Sequence, residues 1–166
     1  MRQLDLFEYK KLRGIPRRLR ALSRWADAFE GSFWPPDGRP YRHWKIPVIS
    51  SLVNPPKTHR AIQRACMNHM LRAAKRIAES RPESSQGYYK VACLFVLPWL
   101  HQSEVTIFYD PDYYAGFYGE RNELEPRTLS SEFGLSIPEG FVERGFCVID
   151  RENQIEEEWW TVGEPL

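Results

Sequence analysis

An α+β fold, with an antiparallel sheet of four to five strands packed against two main helices, is what this sequence predicts. Three observations carry that expectation. Two stretches of helical periodicity lie in the first half, at 17–29 and 58–80, and β-rich runs crowd the second half. Helix and strand do not alternate as they would in a parallel βαβ sheet. The length of 166 residues, 42% of them hydrophobic and 14% aromatic, suits a single domain spanning 1–166.

The first helix is expected at 17–29, where Leu19, Leu22, Trp25, Ala26 and Phe29 recur at spacings of three and four. Arg18, Arg20, Arg24 and Asp27 then face water. Pro16 sits where a first-turn proline is tolerated, and Gly31 closes the helix. The Pro-rich stretch 34–40 reads as a loop. A short extended segment follows at 44–49; Pro47 within it predicts an edge strand, because proline cannot donate to a central ladder. The long helix at 58–80 turns Ile62, Ala65, Cys66, Met70, Ala73, Ala74 and Ile77 to the core, with Arg60, Arg64, Arg72, Lys75 and Arg76 opposite. Residues 81–87, rich in Pro, Ser and Gly, break it.

Continuous β-branched and apolar residues at 88–97 predict a central strand buried on both faces. A turn at 98–102 then leads into an antiparallel neighbour at 104–109. Asp110, Pro111 and Asp112 read as the start of a short helix carrying Tyr113, Tyr114, Phe117 and Tyr118. Residues 119–136 are acidic and are expected to be irregular. Strands at 145–150 and 154–162 flank a turn and predict a terminal hairpin.

Charge divides the chain into a basic helical half and an acidic sheet half. Residues 1–81 hold 18 Lys+Arg against 6 Asp+Glu, whereas 82–166 hold 5 against 16. The N-terminal residues are broken by charges throughout and contain no apolar leader run. The longest apolar run, at 91–100, is half of what a membrane span of about 20 residues needs, so no membrane partner is expected. Three cysteines, Cys66, Cys93 and Cys147, are too few and odd in number for a disulfide framework. A cytoplasmic location is the expectation.

The sequence holds no phosphate-binding Gly-rich loop, nucleophile elbow, zinc-protease helix or paired Cys-x-x-Cys motif, and no cofactor is expected. His59, Cys66 and His69 share a helical stripe, but three ligands strung over three turns cannot converge on one ion. A buried cysteine near a half-buried histidine explains them. Glu104, Asp110 and Asp112 form a carboxylate group suited to a cation or to acid–base work. Asp110 and Asp112 are equally explained as acids answering the dipole of a helix start.

Two aromatic and acidic stretches are candidates for a protein interface. The first contains Glu104, Asp110, Asp112, Tyr113, Tyr114 and Tyr118; the second contains Glu156, Glu158 and Trp160. Tyr and Trp offer large contact area at little entropic cost, and carboxylates among them suit a basic partner. Alternation along the terminal strand sends Trp159 and Trp160 to opposite faces. The basic block Lys10, Lys11, Arg13, Arg17, Arg18, Arg20 and Arg24 is the alternative, a nucleic-acid contact made through phosphates.

Several segments in this order resemble a bacterial family of domains of unknown function. They are Lys11-Leu12-Arg13-Gly14-Ile15, Trp44-Lys45-Ile46-Pro47-Val48, Pro56-Lys57-Thr58, Ser103-Glu104-Val105-Thr106-Ile107-Phe108 with the tyrosines that follow, and Gly134-Leu135-Ser136-Ile137-Pro138-Glu139-Gly140-Phe141. The resemblance covers most of the chain and transfers no catalytic residue. Small bacterial proteins of this general kind serve as immunity proteins in toxin–immunity pairs, an analogy of class. The leading expectation is therefore an immunity protein that occludes a cognate toxin. The alternatives are a nucleic-acid-associated protein and an enzyme built on Glu104, Asp110 and Asp112 or on Cys66 and His69.

Overall fold

A computed structural model describes residues 14–30, 38–47, 60–80, 90–97, 100–110, 112, 113, 115, 128–151 and 154–163, with 144–151 and 154–163 described as backbone. The elements run α1 (Ile15–Asp27), β1 (Tyr41–Lys45), α2 (Arg60–Glu79), β2 (Lys90–Leu97), a 3-10 turn at Leu100–Gln102, β3 (Glu104–Phe108), α3 (Leu129–Phe133), β4 (Phe141–Arg151) and β5 (Gln154–Gly163). The five strands form one antiparallel sheet in the order β1-β3-β2-β5-β4. The α+β class is as the sequence predicts.

Helices α1 and α2 bury their apolar faces on one side of the sheet. Leu22, Ala26 and Phe29 of the α1 segment meet Cys66, Met67, Met70, Leu71, Ala73, Ala74 and Ile77 of α2. Beneath them lie Val91, Cys93, Phe95 and Leu97 of β2, with Val105 and Ile107 of β3. These strand residues are spaced by two, as one face of a pleated strand requires. The Cys93 thiol donates to the Met70 carbonyl at 3.5 Å, tying strand to helix.

Ala92, Val96, Thr106 and Phe108 are also buried, yet stand outside that core because they occupy the opposite face. Strand β2 is therefore covered on both sides, as its unbroken apolar run predicts. Ser103, fully buried between β2 and β3, accepts the Val96 N–H at 2.9 Å and so satisfies a backbone donor at the strand end.

Three boundaries differ from the sequence expectation. The edge strand covers Tyr41–Lys45, not 44–49, so Pro47 lies beyond its end and never enters the ladder. Strand β4 begins at Phe141, ahead of the expected 145, across an irregularity between Glu143 and Gly145. Within 119–136, expected to be irregular, residues 129–133 form α3. Its caps are local: the Thr128 hydroxyl accepts the Ser131 N–H, the Ser131 hydroxyl accepts the Thr128 N–H, and Gly134 ends the turn at φ 63°. Leu129 and Leu135 anchor the segment in the core, and the Arg60 guanidinium lies 5.1 Å over the Phe133 ring.

The loop expected at 34–40 and the helix break at 81–87 fall mostly or wholly outside the described residues. Among the described residues, no helix is long and apolar enough to cross a membrane.

Candidate functional site

The face of the sheet away from α1 and α2 carries a stacked aromatic group at the β1–β3 edge, of which Tyr113 is the exposed member. Antiparallel register sets Tyr41 opposite Phe108, His43 opposite Thr106 and Lys45 opposite Glu104. All six share one face, because they alternate with Arg42, Trp44, Val105 and Ile107. The chain leaving β3 then returns over it. Asp110 accepts the backbone N–H groups of Asp112 and Tyr113 at 2.8 and 3.0 Å, which caps a short helical turn and sets the Tyr113 ring on the sheet.

Tyr113 stacks on Tyr41 with centroids 5.2 Å apart and planes 14° from parallel. Tyr41 stacks in turn on His43 at 5.7 Å, and Phe108 packs beside Tyr113 at 6.2 Å. Phe108 is thereby sealed at 2% exposure, whereas Tyr113 stays 37% exposed. Partial burial pushes the Tyr113 phenol up, and the neighbouring Tyr41 hydroxyl and the Glu104 carboxylate add to that shift. The phenol is neutral at physiological pH.

Glu104 lies at the rim of this ledge. One carboxylate oxygen accepts the Thr106 hydroxyl at 3.1 Å, and the other lies 4.0 Å from His43 Nδ1. With Lys45 as its register partner, Glu104 makes this end of the ledge mixed in charge. The exposed carboxylates Asp110 and Asp112 make the other end acidic.

The three acids do not form one centre. Glu104 opens β3, whereas Asp110 lies beyond the strand's end at Phe108, in the turn it caps. Asp110 is spent on its own backbone cap. No group of three or more His, Cys, Asp or Glu is placed to hold a metal ion among the described residues.

Of the other expected interface residues, Tyr114 and Tyr118 lie outside the described residues. Glu156, Glu158 and Trp160 are described by backbone alone: Glu158 pairs with Val96 and Cys147, and Trp160 with Leu94 and Gly145. They sit on β5, two strands away from β3. Tyr41, His43 and Thr106 belong to the ledge and were not expected there. Their only sequence signal is the alternation of Tyr41, His43 and Lys45, hidden by placing the strand around Pro47.

Cys66 and His69 lie three residues apart on α2. Cys66 is fully buried, and burial pushes its thiol up to about 12, the opposite of a nucleophile's requirement. His69 buries Nδ1 without a hydrogen-bond partner among the described residues, and desolvation followed by the Arg72 charge lowers its pKa from the ordinary 6.5; Asp27 opposes this. A histidine held neutral in the fold but free to protonate when unfolded makes stability fall as pH drops through 6.5. Urea unfolding compared at pH about 7.5 and about 5.5 is expected to show that loss, and His69→Gln is expected to reduce it.

The elements together define a class: an α+β sheet protein with two helices sealing one face and a stacked aromatic ledge on the other. The chain belongs to the family described as Protein of unknown function (DUF3916), whose model matches residues 23–164. Comparison with functionally described proteins and with solved structures returned no match.

Proposed function

We propose that the chain is a binding protein, an immunity protein that neutralises a basic toxin by covering the toxin's active surface with the Tyr41–Tyr113 ledge. The stacked pair of tyrosines at the β1–β3 edge, with the Tyr113 ring exposed, is the observation that carries the reading. Its rings are locked by Phe108, His43 and each other, so little side-chain entropy is lost when a partner closes over them.

A partner's Arg or Lys has two kinds of contact available here. It can lie over the exposed Tyr113 face and reach Asp112, which combines a cation–π contact with a charge-assisted hydrogen bond. Apolar partner groups fill the space around the rings, and Glu104 sets the boundary. Occlusion then needs no chemistry from this chain.

Co-expression with the product of a neighbouring larger gene tests the reading. The expected result is a complex that survives purification and relief of the toxin's growth defect. Absence of both a complex and rescue counts against it.

A further inference from the structure

We propose that the outer surface of the helical layer, centred on Arg17, Arg20 and Arg24, docks the phosphate backbone of double-stranded nucleic acid. It lies across the sheet from the ledge and does not depend on the immunity reading.

At 100° per residue, positions 17, 20 and 24 fall within about 60° of one another around α1, opposite the buried Leu22 and Ala26. All three arginines are exposed, and none has an ion pair among the described residues. Four cations of α2 are engaged. Arg72 bonds the Ser23 carbonyl and hydroxyl and the Asp27 carboxylate, Arg76 donates to the Phe29 carbonyl, and Lys75 pairs with Glu79. Arg60 covers Phe133.

Placement of the three charges works against the helix that carries them. Arg17–Arg20 and Arg20–Arg24 are like charges at i,i+3 and i,i+4, each destabilising. Neither α1 nor α2 has an acid in its first turn, where the helix dipole favours one; instead α1 opens with arginines. The two helices together hold nine Lys+Arg against two Asp+Glu. Charges that oppose helix stability and lack ion-pair partners among the described residues fit an external polyanion.

Two features select a duplex. Single-strand binders add exposed aromatic rings on which bases stack, and the exposed large hydrophobics among the described residues, Tyr113 and Val142, lie on neither helix. A lipid-surface helix needs a free apolar face, and that of α1 is inside the core.

Fluorescence anisotropy of labelled DNA and RNA duplexes over a salt series tests the proposal. The wild-type chain is expected to bind at low salt, without sequence preference and with a steep fall in affinity as salt rises. The combined variant R17Q/R20Q/R24Q is expected to flatten the slope of log K against log salt by about 2.7, because each phosphate left without its arginine lowers that slope by about 0.9. Circular dichroism and melting should show an intact fold, since repulsion is relieved. The combined variant R17K/R20K/R24K is expected to keep the slope. A preference for one duplex type names the source of the phosphates. No duplex binding at low salt, an unchanged slope in the Gln variant, or binding to anionic phospholipid vesicles but to neither duplex would each overturn it.

Discussion

Phe95→Ala is expected to lower the free energy of unfolding by about 3–5 kcal/mol, the usual range for truncating a buried Phe. Phe95 is fully buried and is among the largest such side chains; it sits on the central strand facing α1 and α2. Its backbone is paired on β5 with Trp159, so the strand cannot shift to fill the hole without breaking register. Urea unfolding reads the change as a lower midpoint with unchanged slope. The melting temperature is expected to fall by roughly 2–4 °C for each kcal/mol. Leu94, only partly buried, is the control: Leu94→Ala should cost clearly less. A Phe95→Ala effect below about 1 kcal/mol would contradict the packing of β2 against α1 and α2.

The second large effect is on binding. Tyr113→Ala is expected to weaken the partner complex by at least about 2 kcal/mol, about 30-fold in Kd, as for a central aromatic anchor. The truncation removes the exposed ring and uncovers Phe108 and Tyr41, on which that ring rests. Tyr113→Phe separates these contributions, because it keeps the stack and removes only the hydroxyl. It is expected to hold affinity within a few-fold, and titration calorimetry on both variants decides. Equal weakening by Ala and Phe would move the contribution from the ring to the hydroxyl.

Much of the fold was legible because its signals are local. Val91, Cys93 and Phe95 face one side of β2 while Ala92 and Val96 face the other, and such a run reads as a buried strand without further information. The amphipathic faces of α1 and α2 are equally plain, down to Leu22, Cys66 and Ile77. Strand β1 was displaced because Pro47 drew the strand towards itself, although it lies just past the last ladder residue. Helix α3 was missed because five residues carry too little periodicity, and its signature is the Thr128–Ser131 cap and Gly134.

The candidate site was half legible for a related reason. Glu104, Asp110, Asp112 and Tyr113 are close in sequence, so composition finds them. Tyr41 and His43 come from the basic half and meet Phe108 and Thr106 only through pairing of β1 with β3. Register of that kind is a property of two strands, and neither strand's own pattern contains it. The capping role of Asp110 was readable from its position before a turn, and the structure supports that explanation over a carboxylate centre.

Hydrogen exchange on the purified partner complex tests the central claim most directly. Protection gained at the amides of 41–45 and 104–113, with the exposed stripe of α1 unchanged, is the expected footprint. A footprint confined to α1 and α2, leaving the tyrosine ledge as accessible as in the free chain, would contradict it.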